Sequence, residues 1–238
     1  MSVILHIETA TEGCSVAVSQ DGANIFTTDN FEDLQHAGQK DTNHSKRLGV
    51  FIDEAMSFTD NHAIPFDAVA VSSGPGSYTG LRIGVSMAKG ICFGQDLKLI
   101  SVPTLEVLSV PVLLTYDELP DDALICPMLD ARRMEVYTAL YTRALQPVMM
   151  PQAMIINEDS FREHLDKGPI YFFGNGMDKC KPLLQHPNSH FIEDIRLHAK
   201  YMTPLAEKKF MCENFEDVAY FEPFYLKDFV ATKARKLL

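Results

Sequence analysis

The chain has 238 residues, 46% of them hydrophobic, and a formal charge of −11 at pH 7. That length accommodates one large or two small domains, and the acidic balance repels a phosphate backbone, which disfavours an independent nucleic-acid-binding module. No apolar run approaches the roughly 20 residues of a membrane-spanning helix, and the opening MSVILHIETAT lacks the basic start and long apolar core of a signal peptide, so a cytoplasmic location is expected. The five cysteines, Cys14, Cys92, Cys126, Cys180 and Cys212, form no C-x-x-C pair. They read as reduced thiols packed as small hydrophobes, with neither a disulfide framework nor a zinc site.

At the N-terminus Val3, Leu5 and Ile7 alternate, Glu8 to Gly13 turn, and Val16 and Val18 alternate again, which predicts a β-hairpin. From Asn43 to Asp60 the residues Leu48, Phe51, Ile52, Ala55 and Phe58 follow helical spacing, with Thr42 or Asn43 able to cap the start. A short apolar strand around Ala68 to Val71 then enters SSGPGSYTGLRIGVSMAKG, Ser72 to Gly90. A strand, a glycine-rich turn and a helix opening with exposed N–H groups is an arrangement that receives anions. It is equally an ordinary tight turn before a helix. Neither familiar nucleotide loop is present: Leu81 and Arg82 stand where Walker A needs Lys and Ser or Thr, and Thr79 stands where the dinucleotide fingerprint needs glycine.

The following helix, Thr79 to Phe93, places Leu81, Val85, Ala88 and Cys92 on one side, with Gly80, Gly84 and Ala88 four apart on one face. A glycine inside a helix costs up to about 1 kcal/mol against alanine. The offsetting gain is close approach of another backbone, either within this chain or in a helix bundle shared between subunits.

The second half opens with the same pattern. Leu124, Ile125, Met128 and Leu129 lead to Asp130-Ala131-Arg132-Arg133, after which Val136, Tyr137, Ala139 and Tyr141 alternate. Glu8 and Asp130 each end the first strand of a hairpin, which suggests two related α/β halves divided near residue 105. Further on, a strand is expected at Ala153 to Ile156, a helix capped near Glu158-Asp159-Ser160, a buried strand at Ile170 to Phe173 ending in Gly174-Asn175-Gly176, and a helix over 203–214 with Thr203 as N-cap. Two basic clusters run against the average charge: Arg196, His198, Lys200, Lys208 and Lys209, and the tail with Lys227, Lys233, Arg235 and Lys236. Both read as solvated faces, although the tail is also a candidate for docking on a partner. His186 and His190 have metal-pair spacing, but Pro187 and Asn188 argue against a helix presenting both. No G-x-S-x-G elbow occurs.

Taken in order, IETATEGCSVAV, Asn43-His44-Ser45 opening a helix, SSGPGSYTGLRIGVSMAKG, LDARRMEVY and EPFYL resemble the TsaB (formerly YeaZ) family of threonylcarbamoyladenosine biosynthesis, from Val3 to about Leu226. The resemblance implies the duplicated α/β fold of actin, Hsp70 and sugar kinases, with lobes at 1–105 and 106–215 and a C-terminal extension or helix at 216–238. It also implies a non-catalytic partner of the transferase TsaD, working with the ATPase TsaE, able to form homodimers and meeting tRNA only through the complex. Where TsaD carries its H-x-x-x-H metal pair, this chain has Thr104 and Leu108, and neither replaces an imidazole. No metal or catalytic residue is therefore expected, and ATP or ADP would bind weakly, at the level of the complex. Glu8, Thr9, Thr11, Gly74, Gly76, Ser77 and Asp130 become a vestigial nucleotide loop. His44, Leu48, Phe51, Ile52, Ala55, Gly80, Leu81, Gly84, Val85 and Ala88 become the partner interface, so a bulky residue at Gly84 or a charge at Leu48 or Phe51 is expected to abolish association and leave the monomer folded. The alternatives are an ATP-binding enzyme of the same fold, a small kinase or ATPase, and a metallopeptidase homologue.

Overall fold

The computed structural model describes residues 1–31 and 44–227. The cap at Thr42 or Asn43, the side chain of His44 and the tail residues Lys233, Arg235 and Lys236 lie outside the described residues.

The first hairpin forms as its alternation requires: β1 (Val3–Glu8) pairs antiparallel with β2 (Ser15–Gln20), which pairs with β3 (Ala23–Asp29). On the other side of β1 lie β4 (Ala68–Gly74) and β5 (Lys98–Pro103), both parallel to it, giving the order β3-β2-β1-β4-β5. The second sheet contains β6 (Leu124–Asp130), β7 (Glu135–Tyr141), β8 (Pro147–Ile155), β9 (Ile170–Phe173) and β10 (Ser189–Ile192). Its order is β8-β7-β6-β9-β10, with the same three antiparallel and two parallel strands. The two sheets repeat one topology, so the chain has the two-lobed, duplicated α/β fold expected of it.

The lobes differ in their helices. In the first, α1 (His44–Asn61) and α2 (Tyr78–Gln95) each run 18 residues. After β5 comes α3 (Thr104–Thr115). In the second, the helix between β8 and β9 is the single turn α4 (Arg162–Leu165). The expected cap near residues 158–160 does not start a helix: the Ser160 hydroxyl accepts from Asn157 N at 2.9 Å, and Phe161 turns the chain at φ 64°. A 3-10 turn (Ala199–Met202) then leads into α5 (Thr203–Met211). Thr203 does not cap that helix, because its hydroxyl is bonded to Asn24 Oδ1 at 3.0 Å.

Every residue of β1 is buried because both faces of the first sheet are covered. Val3, Leu5 and Ile7 meet Leu48, Phe51 and Val85 of α1 and α2. Ile4, on the opposite face, belongs to the core between the lobes with Leu105, Leu108, Leu129, Phe173 and Met202. Although α5 falls in the range 106–215, it packs on β1 and β5 of the first sheet. Residues 216–227 contain no helix. They strap across the first lobe: Glu216 N donates to Leu99 O at 2.8 Å, the Lys89 ammonium donates to the carbonyls of Ala219 and Phe221, and Phe224 N donates to Ser73 O at 2.7 Å.

Candidate functional site

The glycine turn after β4 is folded onto the turn between β1 and β2. Ser77 N donates to Ala10 O at 2.7 Å, and the Thr9 hydroxyl donates to Gly80 O at 2.8 Å. A Cβ on Gly76 would lie 2.5 Å from Ala10 O, one on Gly80 2.0 Å from Thr9 O, and one on Gly84 2.3 Å from Thr9 Oγ1. Gly74, at φ +107°, has the Phe224 carbonyl against it. At the start of α2 Ser77 Oγ accepts from Gly80 N and caps the helix, and Ser77 O accepts the first helical bond, from Leu81 N. The glycines thus admit the chain's own backbone. The second lobe repeats the device: Gly174 (φ +99°) lies against Met128 O, and Gly176 against Leu129 and Asp130.

The two acids are equally committed. Glu8 is 1% exposed, accepts from Ala10 N at 2.6 Å and from the Ser72 hydroxyl, and burial pushes its carboxyl up to about 7. Asp130 is ion-paired with Lys179, whose ammonium also donates to the carbonyls of Arg133 and Glu135. Thr104 and Leu108 sit at and near the start of α3, both buried. Thr104 Oγ1 accepts from Gly74 N at 3.0 Å, and Leu108 packs against Gly174.

Between the lobes lies a cleft of about 260 Å³, lined by Thr11, Glu12 and Gly13 of the first hairpin turn, Leu108, Leu129 and Asn175 on the second-lobe side, Ile195 to Leu197, and Phe31. The Phe31 ring fills the space in front of Gly13, where a Cβ would come within 2.1 Å of it. Of the residues expected in a nucleotide loop, Thr11 lines this cleft; Glu8, Thr9, Gly74, Gly76, Ser77 and Asp130 do not. Sequence reasoning marked Asn175 only as part of a glycine turn and missed Phe31 and Ile195, which no local spacing marks. Among the described residues the cleft offers a hydroxyl, a carboxylate, a guanidinium, an amide and apolar walls. Among the described residues no three His, Cys, Asp or Glu side chains gather as metal ligands.

The expected interface needs a correction. Leu48, Phe51, Ile52, Ala55, Gly80, Leu81, Gly84, Val85 and Ala88 are all buried in the first lobe, because helical periodicity marks the face that packs on the chain's own sheet. A bulky residue at Gly84 would drive into Thr9, so that substitution is a folding mutation. The outward faces carry a different signal. Val50 is 56% exposed and Phe93 86%. Among the described residues, no atom outside their own helix lies within 4 Å of where a Cβ would sit on Gly49, Gly90 or Gly94.

The first basic cluster also dissolves. His198 is buried between Phe31 and Tyr201 and hydrogen-bonds Asp29, and burial holds its imidazole below the usual range. Lys209 donates to Ser101 O at 2.7 Å, and Arg196 lines the cleft. His186 pairs with Asp166 while His190 stacks on Tyr171, so the two do not act together. Of the cysteines, four are buried and Cys212 is exposed.

The family described as TsaD: tRNA N6-adenosine threonylcarbamoyltransferase matches residues 39–235. The TsaB protein of Haemophilus influenzae, named for tRNA threonylcarbamoyladenosine biosynthesis, is 26% identical over 240 residues, covering 97% of this chain and 95% of its own. Its counterpart in Escherichia coli is 27% identical over 237 residues, covering 97% and 96%. The solved structure of YeaZ from Pseudomonas aeruginosa superposes with a TM-score of 0.76 at 21% identity, covering 95% of this chain and all of that one.

Proposed function

The chain belongs to the tRNA N6-adenosine threonylcarbamoyltransferase family as a TsaB (YeaZ) type member, and from that premise we propose that it is a non-catalytic partner of the transferase TsaD in forming threonylcarbamoyladenosine on tRNA. The observation that carries the reading is the set of unfilled glycines on the outward faces of α1 and α2. Each exposed helical glycine costs about 1 kcal/mol relative to alanine. Among the described residues nothing outside their own helix comes within 4 Å of a Cβ at half-buried Gly49 or at exposed Gly90 and Gly94. A partner helix seated on this face would use the missing side chains for close backbone approach and would cover Val50 and Phe93. A second copy of this chain would use the same face, so homodimer and heterodimer exclude one another.

The absence of catalysis by this chain rests on side chains already engaged. Thr104 is bonded to the glycine turn, Leu108 is apolar and packed, and Glu8 and Asp130 are tied to their own hairpins. The ATPase TsaE joins the pair in this reading, and a nucleotide belongs to the assembled complex. Reconstituted modification of an unmodified tRNA by TsaD, TsaE and the activated threonyl donor tests the proposal. It predicts little product without this chain, full product with it, and loss of both product and TsaD co-elution for Gly90→Leu or Phe93→Asp with an unchanged far-ultraviolet spectrum. Full modification in the absence of this chain would overturn it.

A further inference from the structure

On a chain of formal charge −11, one surface alternates cations with aromatic rings. It lies where the C-terminal strap crosses from the start of α2 to the β6–β7 turn. Arg82 stands over the Tyr78 ring, with Cζ 5.0 Å from the centroid, and its charge reaches the Tyr225 hydroxyl. Tyr78 and Tyr225 lie ring to ring at 4.9 Å. Two residues along the strap, Lys227 stands over the Tyr137 ring at 5.7 Å and pairs with Glu135. The exposed Arg132 and Arg133 hold the β6–β7 turn in left-handed conformations, φ 70° and 54°, and the charge of Arg132 reaches Tyr137. Among the described residues, the cations Arg82, Arg132, Arg133, Lys179 and Lys227 face the carboxylates Asp130, Glu135 and Glu222, so the seam keeps an excess of positive charge. Tyr225 is 37% exposed. Tyr137 also packs against the core between the lobes, while Arg132 and Arg133 are exposed.

We propose that this seam is an RNA contact, in which Arg82, Arg132 and Lys227 meet phosphates and Tyr225 offers a ring to an unpaired base. Guanidinium and ammonium groups interleaved with rings are what a flexible single strand requires, because phosphates pair with the charges while bases stack. The position suits a substrate passed to a docked partner. Arg82, Ser86, Gly90 and Phe93 fall on one outward stripe of α2, with Arg82 about 16 Å from Phe93 along the axis at 1.5 Å per residue. A partner on the glycine end leaves the arginine end open beside it. The choice of tRNA as the RNA rests on the function proposed above.

The test uses the full chain, alone and bound to TsaD, with an unmodified tRNA transcript carrying 4-thiouridine. Photocrosslinks are expected on the peptides containing Tyr78–Arg82, Arg132–Tyr137 and Tyr225–Lys227. Reversing Arg82, Arg132 and Lys227 together to Glu should weaken tRNA binding roughly tenfold or more at 0.1 M salt and lower the salt slope by about 2. Tyr225→Ala should weaken it roughly fivefold or more, with Tyr225→Phe restoring it; Arg162→Glu, away from the seam, should change nothing. Crosslinks elsewhere, or a triple variant that binds as the parent does, would overturn the inference even if TsaD association and modification persist. Crosslinks at the seam from a chain that fails to associate with TsaD would sustain it and defeat the functional proposal instead.

Discussion

Replacing Glu8 by Gln should change how stability depends on pH, and the size of the change follows from its surroundings. Burial raises the Glu8 carboxyl from an ordinary 4.5 to about 7 in the folded chain. A raised carboxyl adds stability that is complete below pH 4.5 and is lost as pH climbs through 7, because folding must then either bury a charge or take up a proton. Over this interval of about 2.5 pH units, at 1.36 kcal/mol per unit, the loss is about 3 kcal/mol. His6, two residues earlier on β1, works in the opposite sense: burial lowers its imidazole from 6.5 to about 3, so its contribution is present above pH 6.5 and is lost on acidification. Between pH 4.5 and 6.5 the unfolded chain holds a proton on His6 and the folded chain holds one on Glu8, so the two slopes cancel. Glu8→Gln keeps the shape and the acceptor for Ala10 N but removes that proton. The variant should match the parent near pH 4.5 and exceed it by about 3 kcal/mol at pH 7 and above. Urea titrations followed by circular dichroism at half-unit steps measure this, which suits a chain with no tryptophan. Parallel curves for parent and variant across pH 4.5–7 would refute the reasoning.

The inward and outward glycines of α2 should respond oppositely. Gly80→Ala forces a methyl into Thr9 O and should destabilise the fold by about 2 kcal/mol or more, whereas Gly90→Ala should stabilise it by up to about 1 kcal/mol; thermal melts of the two variants compare them directly. Thr104→Val strands Gly74 N without its acceptor and should cost about 1–3 kcal/mol, read from the urea midpoint at an unchanged m-value. A thiol reagent at pH 8 should label Cys212 rapidly and the other four cysteines only on unfolding. Those four are buried, and burial is the main cause that pushes Cys14 and Cys126 up to about 12; fast labelling of more than one thiol in the folded chain would contradict the packing.

Sequence periodicity and the structure part company at particular residues, and the reason is the same each time. Period two at Val3, Leu5 and Ile7 and again at Tyr137, Ala139 and Tyr141 made both hairpins legible, because strand geometry acts through near neighbours. β3 escaped notice because its exposed residues lack clean alternation. The burial of Leu48, Phe51, Leu81 and Val85 was also legible, but periodicity says that a face is covered and never by what. Gly80 and Gly84 show the consequence, since a helical glycine registers close approach in sequence while the approaching atom, here Thr9, lies some 70 residues away. The glycines that point outward, Gly90 and Gly94, differ from these in sequence by nothing except their angle around α2. Only the three-dimensional arrangement separates a glycine filled from within from one left open, and that separation is why the proposed docking face lies opposite the buried stripe of the same helix. The turn from Gly74 to Gly80 then has a different use from an anion site: it locks the first hairpin onto α2, so that the stripe from Arg82 to Phe93 is presented on a rigid support.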